Sequence, residues 1–235
     1  MYNFVFDIDD TVYDQMIPFQ KAFEKNFSQY SQLSLSELYR HNRYYSDEVF
    51  DLTVKGEMSI EKMHIYRISE AFRVMGIGIS DAEALQFQQD YVAAQQELEP
   101  TPDMREALNY CRDHGLKFGV ITNGPAQHQR KKVKQLGIYD WLDYDQVVVS
   151  GELEFMKPDV RIFRHTEKLL GIQAENTYYI GDSYANDIVG AKGAGWHTIW
   201  INRREGHIPA DGVQPDLILN NDDSIATVIR KLCES

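Results

Sequence analysis

Residues 4 to 11 read FVFDIDDT, so that Asp7, Asp9 and Asp10 crowd into four positions behind an apolar run and are followed by the hydroxyl of Thr11. Clustered carboxylates repel one another and lose solvation when partly buried, so a cation or a special task must hold them there. Three later stretches offer suitable partners. Thr122, Asn123 and Gly124 bring a hydroxyl and backbone N–H groups in a glycine turn, which suits an anionic oxygen. Lys157, in GELEFMKPD, is a cation whose backbone is restricted by the following Pro158. GDSYAND supplies Gly181 for a tight turn and two more carboxylates, Asp182 and Asp187. Oxygen ligands in this number suit a hard divalent cation, and Mg2+ commonly takes one or two carboxylates plus substrate phosphate and water. With that charge in place Asp7 can attack phosphorus as a nucleophile, giving an aspartyl-phosphate. Lys157 and Thr122 would hold the phosphoryl oxygens. Asp9 is close enough to protonate the leaving oxygen and later activate water, a role that calls for a raised pKa.

These residues need a scaffold that brings them together. Short β-rich runs recur at 2–6, 118–122, 146–149, 178–180, 197–201 and 216–219, and from the second onward they alternate with amphipathic stretches of helical length. That is the pattern of a parallel sheet covered by helices. Each chemistry-bearing stretch follows a predicted strand, at the carboxyl edge where open α/β sheets bind ligands. Roughly a hundred residues separate the first two runs, far more than a crossover helix needs, and most of them read as helix. The expected architecture is therefore α/β: a Rossmann-like parallel sheet core from residues 1–14 and 100–235, interrupted by a helical insert over 15–99. Pro100 and Pro102 in LEPTPDM make a stiff exit from the insert.

DIDDT, ITNG, KPD with IF four residues on, and GDSYANDIVGAKGAG resemble, in order, the four motifs of the haloacid dehalogenase superfamily of phosphohydrolases. The resemblance implies Asp7 as nucleophile and Asp9 as acid/base that also offers its main-chain carbonyl to Mg2+. It implies Asp182 as a direct metal ligand and Asp187 as a more distant or water-mediated one, with Thr122, Lys157 and the Asn123 backbone on the phosphate. The insert is similar to the helical cap of the first subclass, which closes over the site and chooses the substrate. KGEMSIEKMHIYR, residues 55–67, resembles the cap of bacterial nucleotidase-like members. This implies a small phosphorylated metabolite, a nucleoside 5′-monophosphate in the boldest reading, with Arg67 and Tyr45 as substrate contacts; Arg67 reads equally as an ion-pairing residue. A sugar-phosphate phosphatase or a phosphomutase of the same superfamily is the alternative. Asp9 argues against a 2-haloacid dehalogenase, which needs no metal and lacks that second aspartate.

The net charge of −12 opposes nucleic acid and anionic membrane, so any anionic ligand must meet a local positive site. No apolar run approaches the roughly 18 residues of a membrane span, and the start, MYNFVFD, lacks a basic leader, which makes the cytoplasm the default expectation. Cys111 and Cys233 have no metal or disulfide spacing and read as reduced thiols. Asp10 reads as a turn residue, RKKVK at 130–134 as an exposed helix face, and Tyr39, Tyr44, Tyr45 and Phe50 as core of the insert. A monomer or small homo-oligomer is expected.

Overall fold

The computed structural model describes residues 2–49, 52–53 and 55–234. The chain divides into two compact units, one built from the segment ending at Asp14 together with that starting at Glu99, the other running from Gln15 to Leu98. The return to the first unit thus falls one residue earlier than the sequence suggests.

The first unit is a six-stranded parallel sheet. Its strands are β1 (Asn3–Phe6), β2 (Phe118–Thr122), β3 (Val147–Val149), β4 (Thr177–Gly181), β5 (His197–Ile201) and β6 (Leu217–Leu219), in the order β3-β2-β1-β4-β5-β6. In-register pairs such as Val5 with Gly119 and with Tyr179 fix β1 between β2 and β4. Every residue of β2 and β4 is buried, which explains their near-continuous apolar sequences. One face of the sheet, carrying Val5, Ile121, Val148 and Tyr179, packs against Ile162, Phe163, Ala191 and Trp196. The order places the reversal of strand succession between β1 and β4, and a crevice opens at the carboxyl ends of such neighbours. Asp7 follows the first of these strands and Asp182 the second.

The second unit is helical among the described residues: α1 (Met16–Asn26), α2 (Leu35–Glu48), α3 (Ile60–Val74) and α4 (Asp81–Ala94). Ser34, Ser59 and Ser80 each accept from the backbone N–H three residues on, and Ser80 with Glu83 completes a reciprocal capping box. Phe19, Phe23, Phe27, Leu38, Tyr39, Ile68, Phe72 and Phe87 form its core. Tyr39 is therefore interior, as the sequence suggests. Tyr44 is not: it is 62% exposed, because its position on α2 faces away from the apolar stripe. Tyr45 is half-buried, edge-to-face with both Tyr44 and Tyr66, while Phe50 lies outside the described residues.

Candidate active site

Asp7 leaves β1 with its backbone N–H donating to Ile180 O of β4 at 2.8 Å, so the ladder that builds the sheet also aims the carboxylate. Lys157 Nζ donates to Asp7 Oδ1 at 2.6 Å, to Asp187 Oδ1 at 2.7 Å and to the Tyr179 hydroxyl at 2.8 Å. All four side chains are buried. Tyr179 in turn donates to Ile121 O at 3.0 Å, which ties the ammonium to β2 and β4. Carboxylate oxygens of Asp7, Asp182 and Asp187 lie within 4.8 Å of one another. Gly181 is required here by space: a Cβ on it would stand 2.3 Å from Asp187 Oδ2. The Asp187 carboxylate is seated by the Ser183 backbone N–H at 2.9 Å, at the start of a single π-helical turn, Tyr184–Ile188.

The charges do not balance. Burial first, then the neighbouring Asp187 and Asp9, push the Asp7 carboxyl up to about 7 against the pull of Lys157. Burial and the charges of Asp7 and Asp187 hold Asp182 well above the ordinary carboxylate range. Burial would strip Lys157 of its proton, but Asp187 and Asp7 hold it firmly charged. Three clustered carboxylates facing one ammonium suit a hard divalent cation, for which Asp7 and Asp182 are the available ligands. The Thr122 hydroxyl, at the end of β2, is buried with no hydrogen-bond partner. Such an orphaned group fits a ligand oxygen.

Asn123, whose backbone is expected at the phosphate, uses its side chain elsewhere. Its amide donates to Lys157 O at 2.9 Å and accepts from Lys157 N–H at 3.0 Å, a reciprocal pair that fixes the lysine backbone. The Lys157–Pro158 peptide is cis. Asp10 sits in the left-handed region (φ 56°), paired with Arg204 at 2.9 Å, and is the turn residue that the sequence suggests, though its charge adds to that of Asp7 and Asp187 on Asp182.

Asp9 departs most from expectation. Its carboxylate receives Lys132 Nζ on both oxygens (2.6 and 2.7 Å), Gln129 Nε2 at 3.1 Å and the Tyr13 hydroxyl at 2.5 Å. Burial acts to raise its pKa, but the Lys132 charge and the hydrogen bonds from Lys132, Tyr13 and Gln129 outweigh it, and the group sits below its ordinary value. The raised pKa expected of an acid catalyst is absent. RKKVK is a solvated face only in part: Lys131 and Lys134 are exposed, but Lys132 and Val133 are buried. The missed signal was spacing: Gln129, Lys132, Val133 and Leu136 recur at helical intervals, and α5 (Pro102–Asp113) and α6 (Ala126–Gln135) flank β2 in sequence. Arg67 and Tyr45 belong to the helical unit, where Arg67 forms no ion pair with a described residue.

A parallel sheet of this order, with its acidic cluster gathered where the strand succession reverses between β1 and β4, defines an α/β protein with its candidate site at the switch point of the sheet. The chain belongs to the haloacid dehalogenase-like hydrolase family, whose description it matches over residues 3–195. It is similar to the glyceraldehyde 3-phosphate phosphatase of Methanopyrus kandleri, with 33% identity over 140 residues, 58% of this chain and 59% of that protein. It is also similar to the phosphoserine phosphatase of Thermus thermophilus, with 33% identity over 117 residues, 49% of this chain and 45% of that protein. The chain thus spans about half the length of the curated relatives it matches. Its fold is similar to that of the HAD-hydrolase YfnB from Bacillus subtilis in a crystal form bound to magnesium, with 19% identity, 98% of each chain covered and a TM-score of 0.67.

Proposed function

We propose that this protein is a Mg2+-dependent phosphomonoester hydrolase that works through an aspartyl-phosphate on Asp7. The observation that carries the reading is the buried Lys157 held between Asp7 and Asp187, with Asp182 beside them and the Thr122 hydroxyl unpartnered. Asp7 and Asp182, with the Asp9 main-chain carbonyl, would hold Mg2+, which when bound supplies positive charge against both the carboxylate repulsion and the phosphoryl oxygens. Lys157 and Thr122 then orient those oxygens. An Asp7 oxygen bonds to phosphorus as the bond from phosphorus to the ester oxygen breaks, and Asp9, once it has taken a proton from solvent against the pull of Lys132, delivers that proton to the departing oxygen. Asp9 next takes a proton from water, whose oxygen attacks phosphorus, releasing phosphate and restoring Asp7.

The substrate in this reading is a small phosphorylated metabolite. Relatives named for glyceraldehyde 3-phosphate and for phosphoserine support a compact leaving group. A nucleoside 5′-monophosphate is the second reading, favoured by the exposed Tyr44 and the Tyr45 and Tyr66 rings grouped with it. A base gains about 1–3 kcal/mol by stacking on such a ring. The test is release of phosphate from a panel of triose, hexose, amino-acid and nucleoside phosphates, in Mg2+ and in EDTA. Mg2+-dependent turnover by the natural protein and none by Asp7→Asn is the expected result. Turnover undiminished in EDTA would remove the metal, and undiminished turnover by folded Asp7→Asn would remove the covalent step.

A further inference from the structure

Lys157 has no donor left over for a substrate. An ammonium carries three N–H groups, and Asp7 Oδ1, Asp187 Oδ1 and the Tyr179 hydroxyl take them at 2.6, 2.7 and 2.8 Å. If the lysine is to hold a phosphoryl oxygen, one of these three must let go. The three are seated with different firmness. Asp187 is fixed through its other oxygen by the Ser183 backbone N–H at 2.9 Å and lies directly against Gly181. Tyr179 is fixed at both ends. Its ring is fully buried, edge-to-face with Phe163 (centroids 5.3 Å apart, planes at 77°) and beside Trp196. Its hydroxyl donates its one proton to Ile121 O at 3.0 Å, so it can offer Lys157 only a lone pair. Of the three partners Asp7 alone changes in the proposed reaction. As one of its oxygens bonds to phosphorus and the ester oxygen leaves, the carboxylate loses its own charge, and its hold on the ammonium falls with it.

Packing does not ask for the Tyr179 hydroxyl, because a phenylalanine ring would fill the same space against Phe163 and Trp196. The O–H instead links the two groups that face the phosphoryl oxygens in the proposed function. It is one hydrogen bond from Lys157 Nζ, and its other bond goes to the residue before Thr122, whose own hydroxyl is buried and unpartnered. We infer that Tyr179 is a positioning residue for phosphoryl transfer: a fixed pivot on which Lys157, held also by Asp187, passes its third hydrogen bond from Asp7 to a phosphoryl oxygen. This role rests on the phosphatase reading and adds to it a residue from the middle of β4 that acts only through Lys157. Positioned donors of this kind are most of what phosphoryl transfer asks of a protein.

The experiment compares the natural protein with Tyr179→Phe, Lys157→Met and the double variant in Mg2+, each well below its own Tm. Tyr179→Phe keeps the ring and removes only the O–H. Two quantities are read: turnover of p-nitrophenyl phosphate, and the affinity for vanadate, whose five-coordinate form stands in for phosphorus in mid-transfer. Tyr179→Phe is expected to lower kcat by about tenfold or more with KM within about threefold, and to weaken vanadate by about tenfold. Its affinity for Mg2+ should stay within about twofold, since the pivot holds no metal. On top of Lys157→Met the same substitution should change vanadate affinity by less than about twofold, because nothing is left to hold. A tyrosine that serves only the fold lowers the Tm and leaves kcat and vanadate affinity as they were, or weakens vanadate equally in both backgrounds; either result overturns the pivot. Where Lys157→Met binds no vanadate, Tyr179→Phe decides alone, and equal losses of Mg2+ and vanadate affinity overturn it. A natural protein that hydrolyses no phosphomonoester in Mg2+ overturns the phosphatase reading itself, whereas an active natural protein with an undiminished Tyr179→Phe overturns the pivot only.

Discussion

Asp7 and Asp9, two residues apart, meet opposite surroundings. Burial beside Asp187 and Asp9 carries the Asp7 carboxyl to about 7. For Asp9 burial is outweighed by Lys132 and by the donors Tyr13 and Gln129. A nucleophile must be ionised, so Asp7 depends on whatever positive charge joins Lys157 at the cluster. Asp7→Asn is accordingly expected to abolish phosphate release while keeping a native far-UV spectrum, because an amide cannot attack phosphorus. Asp9 has the reverse difficulty: its three donors orient it and also favour its ionised form, so its proton delivery depends on position rather than on a raised pKa. Lys132 thereby becomes a positioning residue. Lys132→Met should slow alkyl phosphates by about a hundredfold but p-nitrophenyl phosphate far less, since a good leaving group needs little help from a proton. Equal slowing of both would show that Lys132 acts by some route other than Asp9. In the sequence Asp7 and Asp182 were legible because each directly follows a strand and Thr122 because it ends one, whereas Lys157, beyond β3 and a further turn, was legible only from the proline after it and its motif. Lys132 was hidden in a charge run whose buried face only the packing of α6 reveals.

At the scale of elements, all six strands appear in the sequence as runs of β-branched and aromatic residues, and the parallel order follows from their alternation with helices. What the sequence does not show is who caps whom across the fold. Asp103, in the first turn of α5, accepts from Ser224 Oγ at 2.6 Å and from the backbone N–H groups of Ile225 and Ala226 at 2.8 and 3.3 Å. It therefore caps α7 (Ile225–Glu234) from more than a hundred residues away. Asp103→Ala leaves those N–H groups without an acceptor and should cost about 1–2 kcal/mol in urea unfolding, with activity per folded molecule unchanged. A cost below the error of the measurement would mean that water replaces the cap. Gly181 was legible only as a turn residue. Its real constraint, the approach of Asp187, depends on the π-helical turn that follows, and π turns leave no periodic signature in a sequence.

The whole molecule carries a net charge of −12, and its candidate site, which in the proposed function takes an anion, holds three of its acids together. Lys157 alone does not neutralise that cluster, and this sets how metal, protons and stability are linked. Asp7 and Asp182 both have folded pKa values above their ordinary ones. A carboxyl of this kind is protonated in the folded state where it would be ionised in the unfolded chain. Its contribution is therefore present at low pH and is lost as pH rises, for Asp7 through about 7. Without metal the protein should lose stability as pH climbs from the ordinary carboxylate range toward neutrality. Mg2+ competes for the same oxygens, so it gains most where protons have left them. The stabilisation by saturating Mg2+ relative to EDTA, read as a rise in Tm, should be small near about pH 5 and large near about pH 8, where it approaches the roughly 2.7 kcal/mol expected at a hundred times Kd. Asp182→Asn should remove most of the increase at the higher pH, because it deletes one ligand and one of the repelling charges. An increase independent of pH, or larger in acid, would mean that Mg2+ stabilises the protein from somewhere other than the Asp7–Asp182–Asp187 cluster.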